Sequence, residues 1–154
     1  MNKYIIKTSV FPDNADAVFE RLQKLGTLQK VAFPFASFIP VDSNNNIIWQ
    51  KGSKFEFRLK LFCLIPMGIH TIRVIEFSKD NIYTNENNSF IPVWNHRIYL
   101  KAINSSQTEY TDEVEINAGW KTIFVYMWAQ LFYAHRQQKW KKLILNDRGQ
   151  NNEK

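Results

Sequence analysis

The longest apolar stretch of the chain lies near its C-terminal end. Residues 120–145 contain no proline or glycine, and Gly119 stands immediately before them. A helix of this length would extend about 40 Å, enough to cross a small domain. From Ile123 to Ala134 almost every residue is apolar without forming a single stripe, and a helix that is apolar all round is usually buried on most sides. The run falls short of the about 20 residues that span a bilayer, so the pattern predicts a core helix.

Six runs ahead of this helix have the length and the bounding turn residues of strands. In the run 54–63, alternate residues from Phe55 to Leu61 are apolar, whereas the residues between them are charged. This alternation is typical of a strand with one face in a core and the other in water. Because short breaks separate the runs, they predict an antiparallel meander. The runs lie at about 47–50, 54–63, 68–77, 80–86, 93–103 and 107–117.

The N-terminal region predicts one strand and two short helices. Residues 3–11 alternate loosely, which indicates the first strand. Asp13 or Asn14 is a candidate cap for a helix that continues to Leu25 and stops at Gly26. A second, shorter helix follows and ends before the next proline.

The segment 33–40 is apolar but contains two prolines. We expect it to lack regular structure and to form a flap over the core, because proline removes a backbone donor. The residues Asn44 to Asn46 are expected to form a turn before the meander begins.

The predicted order of elements is one strand, two short helices, six strands and one long helix. This order defines an α+β protein. The simplest packing curls an antiparallel sheet of about seven strands around the long helix. Any gap left between sheet and helix would be a natural site for a ligand.

Length and charge indicate one domain with no nucleic-acid partner. The chain has 154 residues and a formal net charge of +6, with the positive residues spread along it. Its densest basic group, from Arg136 to Lys142, lies in the last turns of the predicted helix, where cations complement the helix dipole. No nucleic-acid recognition signature is present. We expect a single domain over residues 1–146, a disordered tail over 147–154 and no stable membrane insertion.

Cys63 is the only cysteine of the sequence. A single cysteine excludes an internal disulfide and a cysteine-cluster zinc site, and it fits a reducing compartment. The first residues lack the long apolar core of a signal peptide. We therefore expect a cytoplasmic protein. The three histidines show no metal-ligand spacing, so neither a metal site nor a cofactor is expected.

Three short motifs follow one another in the predicted strands. Residues 52–57 match a Gly-x-x-Phe-x-(Leu/Phe) strand start, residues 94–98 begin with a tryptophan and then a histidine two residues on, and residues 111–115 match Thr-Asp-x-Val-x. With the order of elements, these motifs resemble the START-like or Bet v 1-like (SRPBCC) superfamily over roughly residues 3–146. The resemblance is strongest to its bacterial polyketide cyclase/dehydrase and lipid-transport branch. It implies a helix-grip fold, in which the sheet holds the long helix.

Two positions depart from the pattern of that branch. Ile98 stands where the branch often has a second histidine, and Ile91-Pro92 stands where it often has Gly-Pro. Membership of the fold leaves the activity open, because the same fold hosts cyclases, lipid carriers and chaperone activators. The resemblance thus implies a cavity for an apolar molecule and leaves open whether a reaction occurs in it.

His96 and Asp112 are polar residues on otherwise apolar faces of two neighbouring predicted strands. A three-residue loop at 104–106 would pair Ile103 with Gln107 and make them diagonal neighbours on one face, about 7–8 Å apart at Cα. A two-residue turn would put them on opposite faces. A pair that meets is either structural, with each buried group satisfying the other, or active in proton transfer, since a carboxylate raises the basicity of a histidine.

Three functions remain open from the sequence. The first is a small binding or carrier protein, monomeric or weakly dimeric, that holds an apolar molecule of a lipid-like or polycyclic kind. The second is an enzyme of the cyclase or dehydratase type, in which His96 and Asp112 transfer protons. The third is a protein-interaction module that uses the exposed part of the helix or a sheet edge. The residues expected to line the cavity are Phe57, Leu59, Trp94, His96, Ile98, Tyr110, Asp112, Phe124, Trp128 and Phe132.

Overall fold

The part of the chain that the structure describes folds into one seven-stranded sheet, two short helices and one long helix. The structure, a computed structural model, describes residues 1–42 and 47–152. The predicted α+β class and the long C-terminal helix are confirmed. The strands are β1 (Lys3–Phe11), β2 (Ala36–Pro40), β3 (Lys54–Leu61), β4 (Ile65–Phe77), β5 (Asn81–Asn87), β6 (Val93–Asn104) and β7 (Gln107–Asn117). The helices are α1 (Ala15–Leu22), α2 (Leu25–Ala32) and α3 (Thr122–Asn152), with a short 3-10 turn at Gly119–Lys121.

The sheet is antiparallel throughout and has the strand order β1-β7-β6-β5-β4-β3-β2. It curls around α3, as predicted. In β7 the even-numbered residues from Thr108 to Ile116 are buried and the odd-numbered residues between them are only half-buried. Alternation of this kind places one face of the strand against the helix and the other toward solvent.

The connection between α2 and β3 differs from the prediction. Ala36–Pro40 was expected to be irregular, yet it forms β2 and pairs with β3. Proline is compatible with this position because β2 is an edge strand and Pro40 is its last residue. Residues 47–50, predicted as a strand, have no regular structure. The turn predicted at 44–46 lies outside the described residues.

The break between the two short helices also lies elsewhere than predicted. α1 begins after Asn14, whose Oδ1 accepts a hydrogen bond from the backbone N–H of Ala17 at 2.9 Å, so Asn14 is the cap. The helix ends at Leu22, and Gly26 lies inside α2 instead of ending α1. A glycine is tolerated inside a helix at a cost of about 1 kcal/mol relative to alanine, and so it is a weak stop signal.

α3 begins at a defined turn and is longer than the predicted helix. Gly119 has a φ of 62°, a conformation that glycine adopts without strain, and it turns the chain from β7 toward α3. The helix continues to Asn152, beyond the predicted end near Leu145. The segment expected to be a disordered tail is therefore helical at 147–152, because no proline interrupts it and one glycine does not end a helix.

Two hydrophobic clusters connect α3 with the sheet. The cavity cluster contains Trp94, Phe132 and Tyr133 and lies along the first half of α3. The anchor cluster contains Phe11, Tyr110 and Trp140. In the anchor cluster the Phe11 ring stacks on the ring of Tyr110 at 4.4 Å and on that of Trp140 at 5.9 Å, measured between ring centroids. All three residues are completely buried, so this cluster fixes the second half of α3 to the sheet.

One side of α3 faces solvent, contrary to the prediction of a helix buried on most sides. Phe124 is 66% exposed and Leu131 is 63% exposed, and Met127 lies between them on the same side. The reason is that a curled sheet covers only the side of the helix that it faces. No helix in the described part of the chain is long and apolar enough to cross a membrane.

Candidate functional site

A cavity of about 330 Å³ lies between the sheet and the first half of α3. Strands β2 to β6 contribute to one wall, and Trp128, Phe132 and Tyr133 of α3 contribute to the other. Because alternate residues of a strand point to one face of a sheet, neighbouring strands direct their inward side chains to the same space. Most of the lining side chains are apolar. The polar ones come from β4 to β6, from the loop after β5 and from α3.

The ten residues expected to line the cavity fall into two groups. Tyr110 and Asp112 lie behind the wall, completely buried in β7. They lie there because β7 packs directly against α3 and β1, toward one edge of the sheet. The other eight residues lie at the cavity wall: Phe57, Leu59, Trp94, His96, Ile98, Phe124, Trp128 and Phe132.

His96 and Asp112 face the same side of the sheet and form a hydrogen bond. Nε2 of His96 lies 2.7 Å from Oδ1 of Asp112. The β6–β7 register places them as diagonal neighbours, because Ile98 is directly opposite Asp112. His96 therefore connects the cavity, which it lines, to a carboxylate that the cavity does not reach.

The turn that sets this register is not the one predicted from the sequence. Asn104 pairs with Gln107, so only two residues form the turn, and a two-residue turn would by itself put His96 and Asp112 on opposite faces. The register shifts between Ala102 and Asn104, which leaves one residue of β6 as a bulge. The bulge reverses the facing of the strand a second time and so restores the predicted arrangement.

Asp112 receives three hydrogen bonds. Besides His96, Oη of Tyr110 donates to Oδ1 at 2.9 Å and Nε2 of Gln137 donates to Oδ2 at 3.1 Å. Burial alone would raise the pKa of Asp112, but the hydrogen bond from His96, the charge of Arg136 and the hydrogen bond from Gln137 hold it below its usual value. Asp112 is therefore an ionised acceptor, and Nε2 of His96 carries the hydrogen of their bond. Within the described part of the chain, Nδ1 of His96 makes no hydrogen bond.

A second polar group at the cavity was not predicted. Nε2 of His70 lies 2.7 Å from Oε2 of Glu86, and Oγ1 of Thr84 donates to Oε1 of Glu86 at 2.7 Å. Asn88 donates through Nδ2 to Nδ1 of His70 at 3.1 Å, since its Oδ1 already accepts two backbone N–H groups. Nε2 of His70 must then carry the hydrogen that Glu86 accepts. Burial would raise the pKa of Glu86, but the hydrogen bonds from His70 and Thr84 bring it below its usual value.

The strand pairing explains how this second group reaches the cavity. Glu86 lies directly opposite Trp94, and Thr84 lies directly opposite His96. Directly opposed residues share a face of the sheet. Because Trp94 and His96 point toward the cavity, Glu86 and Thr84 point there too. The alternation in the run 80–86 places Thr84 and Glu86 on one face of the strand. Which face of the sheet this is becomes clear only when the pairing of β5 with β6 is known.

Two further polar residues lie at one end of the cavity, on α3. Tyr133 and Arg136 are three residues apart and so lie on the same side of the helix. Arg136 was expected in the last turns of the helix, but it lies near the middle because α3 is longer than predicted. The spacing Trp128, Phe132, Arg136 was the signal for its inward orientation, because such residues share one helical face.

Arg136 is 8% exposed, and its guanidinium is only partly satisfied. Nη2 donates to Oη of Tyr110 at 3.4 Å, and Nε has no partner among the described residues. Oη of Tyr133 accepts a hydrogen bond from Nε1 of Trp94 at 3.1 Å. Burial raises the pKa of Tyr133 well above its usual value, so its hydroxyl keeps its hydrogen and remains a donor.

The site therefore combines an apolar wall with three polar positions: His96, the His70–Glu86 pair, and the Tyr133–Arg136 pair. An apolar wall holds the body of a ligand by burial, and a few convergent polar groups orient it. Across the described ranges, 1–42 and 47–152, no three His, Cys, Asp or Glu side chains are grouped so as to hold a metal ion.

Residues 48–143 match the family described as "Domain of unknown function (DUF8410)". The match includes β3 to β7 and the first part of α3, and with them every polar residue of the cavity named above. No curated protein matches the sequence.

Solved structures resemble the whole chain in fold. A START superfamily protein from Mycobacterium smegmatis has a TM-score of 0.74 and 10% identity, with 93% of this chain and 97% of that chain covered. Norcoclaurine synthase from Thalictrum flavum, in complex with dopamine and hydroxybenzaldehyde, has a TM-score of 0.64 and 9% identity, with 95% and 88% covered. For Ara h 8.0201 the TM-score is 0.67 and the identity 10%, with 95% and 99% covered. The START/Bet v 1-like fold that the motifs predict is thus confirmed, and these identities show the fold alone.

Proposed function

The chain belongs to the DUF8410 family, whose function is unknown, and we propose that it binds one apolar small molecule between the sheet and α3. The observation that carries this proposal is the cavity of about 330 Å³. Protein interiors are normally packed with few voids larger than a water molecule. A mostly apolar volume of this size therefore supports a ligand-binding role.

The size and lining of the cavity favour a lipid-like or polycyclic ligand. Ligand pockets usually begin at about 300 Å³, and Trp94, Trp128 and Phe132 present large apolar surfaces to this one. Burying apolar surface contributes about 25 cal/mol per Å². The fold likeness to norcoclaurine synthase, whose structure holds two small aromatic molecules, supports the same kind of use of the fold.

Binding of a neutral apolar dye tests the proposal directly. Nile red should bind the purified protein with a dissociation constant in the micromolar range, measured by fluorescence titration. Trp128→Ala should change that affinity several-fold, because the indole forms part of the cavity wall. Leu131→Ala is the matched control, since Leu131 lies one turn away on the solvent side of α3. Failure of the wild-type protein to bind the dye, or equal effects of the two variants, would contradict the proposal.

Proton transfer on the bound molecule is a second candidate function. One observation favours it: His96 lines the cavity, its Nε2–H is held by ionised Asp112, and its Nδ1 has no partner in the described structure. In such an arrangement Nδ1 is a base whose tautomer is fixed. It could take a proton from a carbon next to a ligand carbonyl, which leaves an imidazolium and an enolate, and then return a proton to that carbon.

Hydrogen–deuterium exchange tests this second candidate. A cyclic ketone bound in deuterated buffer should exchange its α-hydrogens faster with the wild-type protein than with His96→Ala, as followed by NMR. Asp112→Asn should also slow the exchange, because the ionised carboxylate no longer holds the hydrogen of His96 on Nε2. If the ketone binds but exchanges no faster than in buffer, the protein is a binder without this activity.

A further inference from the structure

We infer that the molecule bound in the cavity carries a carboxylate at one end, which the guanidinium of Arg136 and the hydroxyl of Tyr133 bind. This inference rests on the proposed function and adds to it the chemistry of one end of the ligand. The hydrogen-bond donors of Arg136 and Tyr133 outnumber the acceptors that the described residues offer them.

Arg136 supplies more donors than its surroundings accept. A guanidinium has five N–H donors in a planar fork. In the described structure Arg136 makes one hydrogen bond, of 3.4 Å to Oη of Tyr110, and no ion pair. Its Nε is buried without a partner. A buried cation in this state is unfavourable unless an acceptor comes to it.

Tyr133 adds a second unused donor at the same place. Its oxygen accepts from Nε1 of Trp94, but its own hydrogen has no acceptor among the residues that the structure describes. The side chain is almost completely buried and borders the cavity. Tyr133 and Arg136 lie one helical turn apart on the same side of α3, so one ligand group can reach both.

The carboxylates of the site cannot supply the missing acceptor. Asp112 accepts from His96, Tyr110 and Gln137 and lies behind the cavity wall. Glu86 is held by His70 and Thr84. Both acids are engaged, and neither forms an ion pair with Arg136. Neither acid accepts a hydrogen bond from Nε of Arg136 or from the hydroxyl of Tyr133, so these donors are available to a group of the ligand.

A carboxylate fits these donors better than other oxygen groups do. Its two oxygens lie in one plane and match two parallel N–H groups of a guanidinium. A neutral alcohol brings one oxygen and no charge, so it cannot form the bidentate, charge-assisted contact. A phosphate carries more charge than one buried arginine and one hydroxyl can balance. In a long apolar chain that ends in a carboxylate, the chain is buried against the apolar wall and the carboxylate binds Arg136 and Tyr133.

Three probes of equal chain length test the inference by titration calorimetry: dodecanoate, 1-dodecanol and dodecyl phosphate. The wild-type protein should bind dodecanoate about tenfold or more tightly than 1-dodecanol, because a charge-assisted bidentate contact is added. Arg136→Met should remove this preference while leaving the affinity for 1-dodecanol nearly unchanged. Tyr133→Phe should reduce the preference by a smaller factor. Lys142→Met, which removes an exposed cation of the same helix, is the matched control and should leave the preference intact.

The outcomes separate this inference from the proposed function. If Nile red and 1-dodecanol bind but dodecanoate is not preferred, the cavity is a binding site and the inference is wrong. If dodecyl phosphate binds most tightly, the carboxylate is the wrong end group. If no apolar probe binds, both fail. Should Arg136→Met not fold, the wild-type comparison of acid with alcohol and the Tyr133→Phe variant still decide.

Discussion

The two halves of α3 belong to one helix but are used in opposite ways. The first half is dense in apolar residues, yet Phe124 and Leu131 face solvent and Trp128 borders the cavity. The second half contains many charged and polar residues, yet Trp140 and Ile144 are completely buried in the anchor cluster. The half that has more apolar residues therefore also exposes more of them to solvent.

This contrast shows that the number of apolar residues in a helix does not determine how much of it is buried. Burial depends on what the sheet and the short helices place opposite each side chain. Around Trp140, Phe11 and Tyr110 close the space with stacked rings. Trp128 also stacks on a ring, that of Phe132 at 4.9 Å between centroids, but it is only half-buried and borders the cavity. The second half is accordingly expected to determine stability, and the first half to determine binding.

Truncating one tryptophan in each half gives the largest effect and tests the contrast directly. Trp140→Ala should lower the free energy of unfolding by about 3–5 kcal/mol, since it removes a completely buried ring. Trp128→Ala should lower it by only about 1–2 kcal/mol, because a ring that borders a cavity has fewer partner atoms to lose. Chemical denaturation of both variants measures the difference. A loss at Trp128 as large as the loss at Trp140 would show that the two halves are equally packed.

Asp112 lies at the junction of the two halves and gives an effect of middle size. Asp112→Asn should destabilise the protein by about 1–3 kcal/mol, because the donors of His96, Tyr110 and Gln137 lose a charged acceptor. The pKa of Asp112 is lowered in the folded state, so its stabilisation is present above the unfolded value of about 3.9 and is lost as the pH falls through the folded value.

Melting temperatures measured at several pH values check both parts of this prediction. The difference between the wild-type protein and Asp112→Asn should persist at pH 5 and shrink below about pH 4. A difference that disappears between pH 7 and pH 5 would mean that another group is responsible. Asn146→Asp, a change of the opposite kind at an exposed position of α3, shows how the method responds to an added exposed carboxylate.

The smallest effect is expected on the outer side of the first half of α3. Leu131→Gln should change the free energy of unfolding by no more than about 0.5 kcal/mol, since the side chain is mostly exposed and leaves no cavity when it is removed. Ile144→Gln in the second half is the matched comparison and should destabilise strongly. If Leu131→Gln is as harmful as Ile144→Gln, the outer side is covered in solution by a second molecule.

The parts of the fold that depend on local pattern could be predicted from the sequence. The two faces of β3 and β7 follow from alternation, and the long helix follows from a run without helix breakers. The edge strand β2 could not be predicted, because its proline, Pro40, is unfavourable in most strands and acceptable only at an edge. Whether a strand is an edge depends on the whole sheet and not on the segment itself.

The candidate site could be predicted only where a single strand or helix carried the signal. His96 and Trp94 stood out because they alternate with polar residues within β6. Glu86 needed the pairing of β5 with β6, and Arg136 needed the true length of α3. Asp112 was placed on the correct face for a reason that the sequence did not contain, since a bulge offsets a shorter turn.

The bulge in β6 also restricts how the hairpin between β6 and β7 can change during evolution. Losing or gaining one residue in the turn would reverse the facing of β7 relative to its partner strand, unless the bulge changed as well. Asp112 would then point to solvent, and Glu113 and Glu115 would be turned toward the core without the hydrogen bonds that Asp112 has. Insertions and deletions in the β6–β7 turn should therefore be tolerated in pairs and rejected singly. Selection for the buried residues of β7 thus restricts the length of an exposed surface loop.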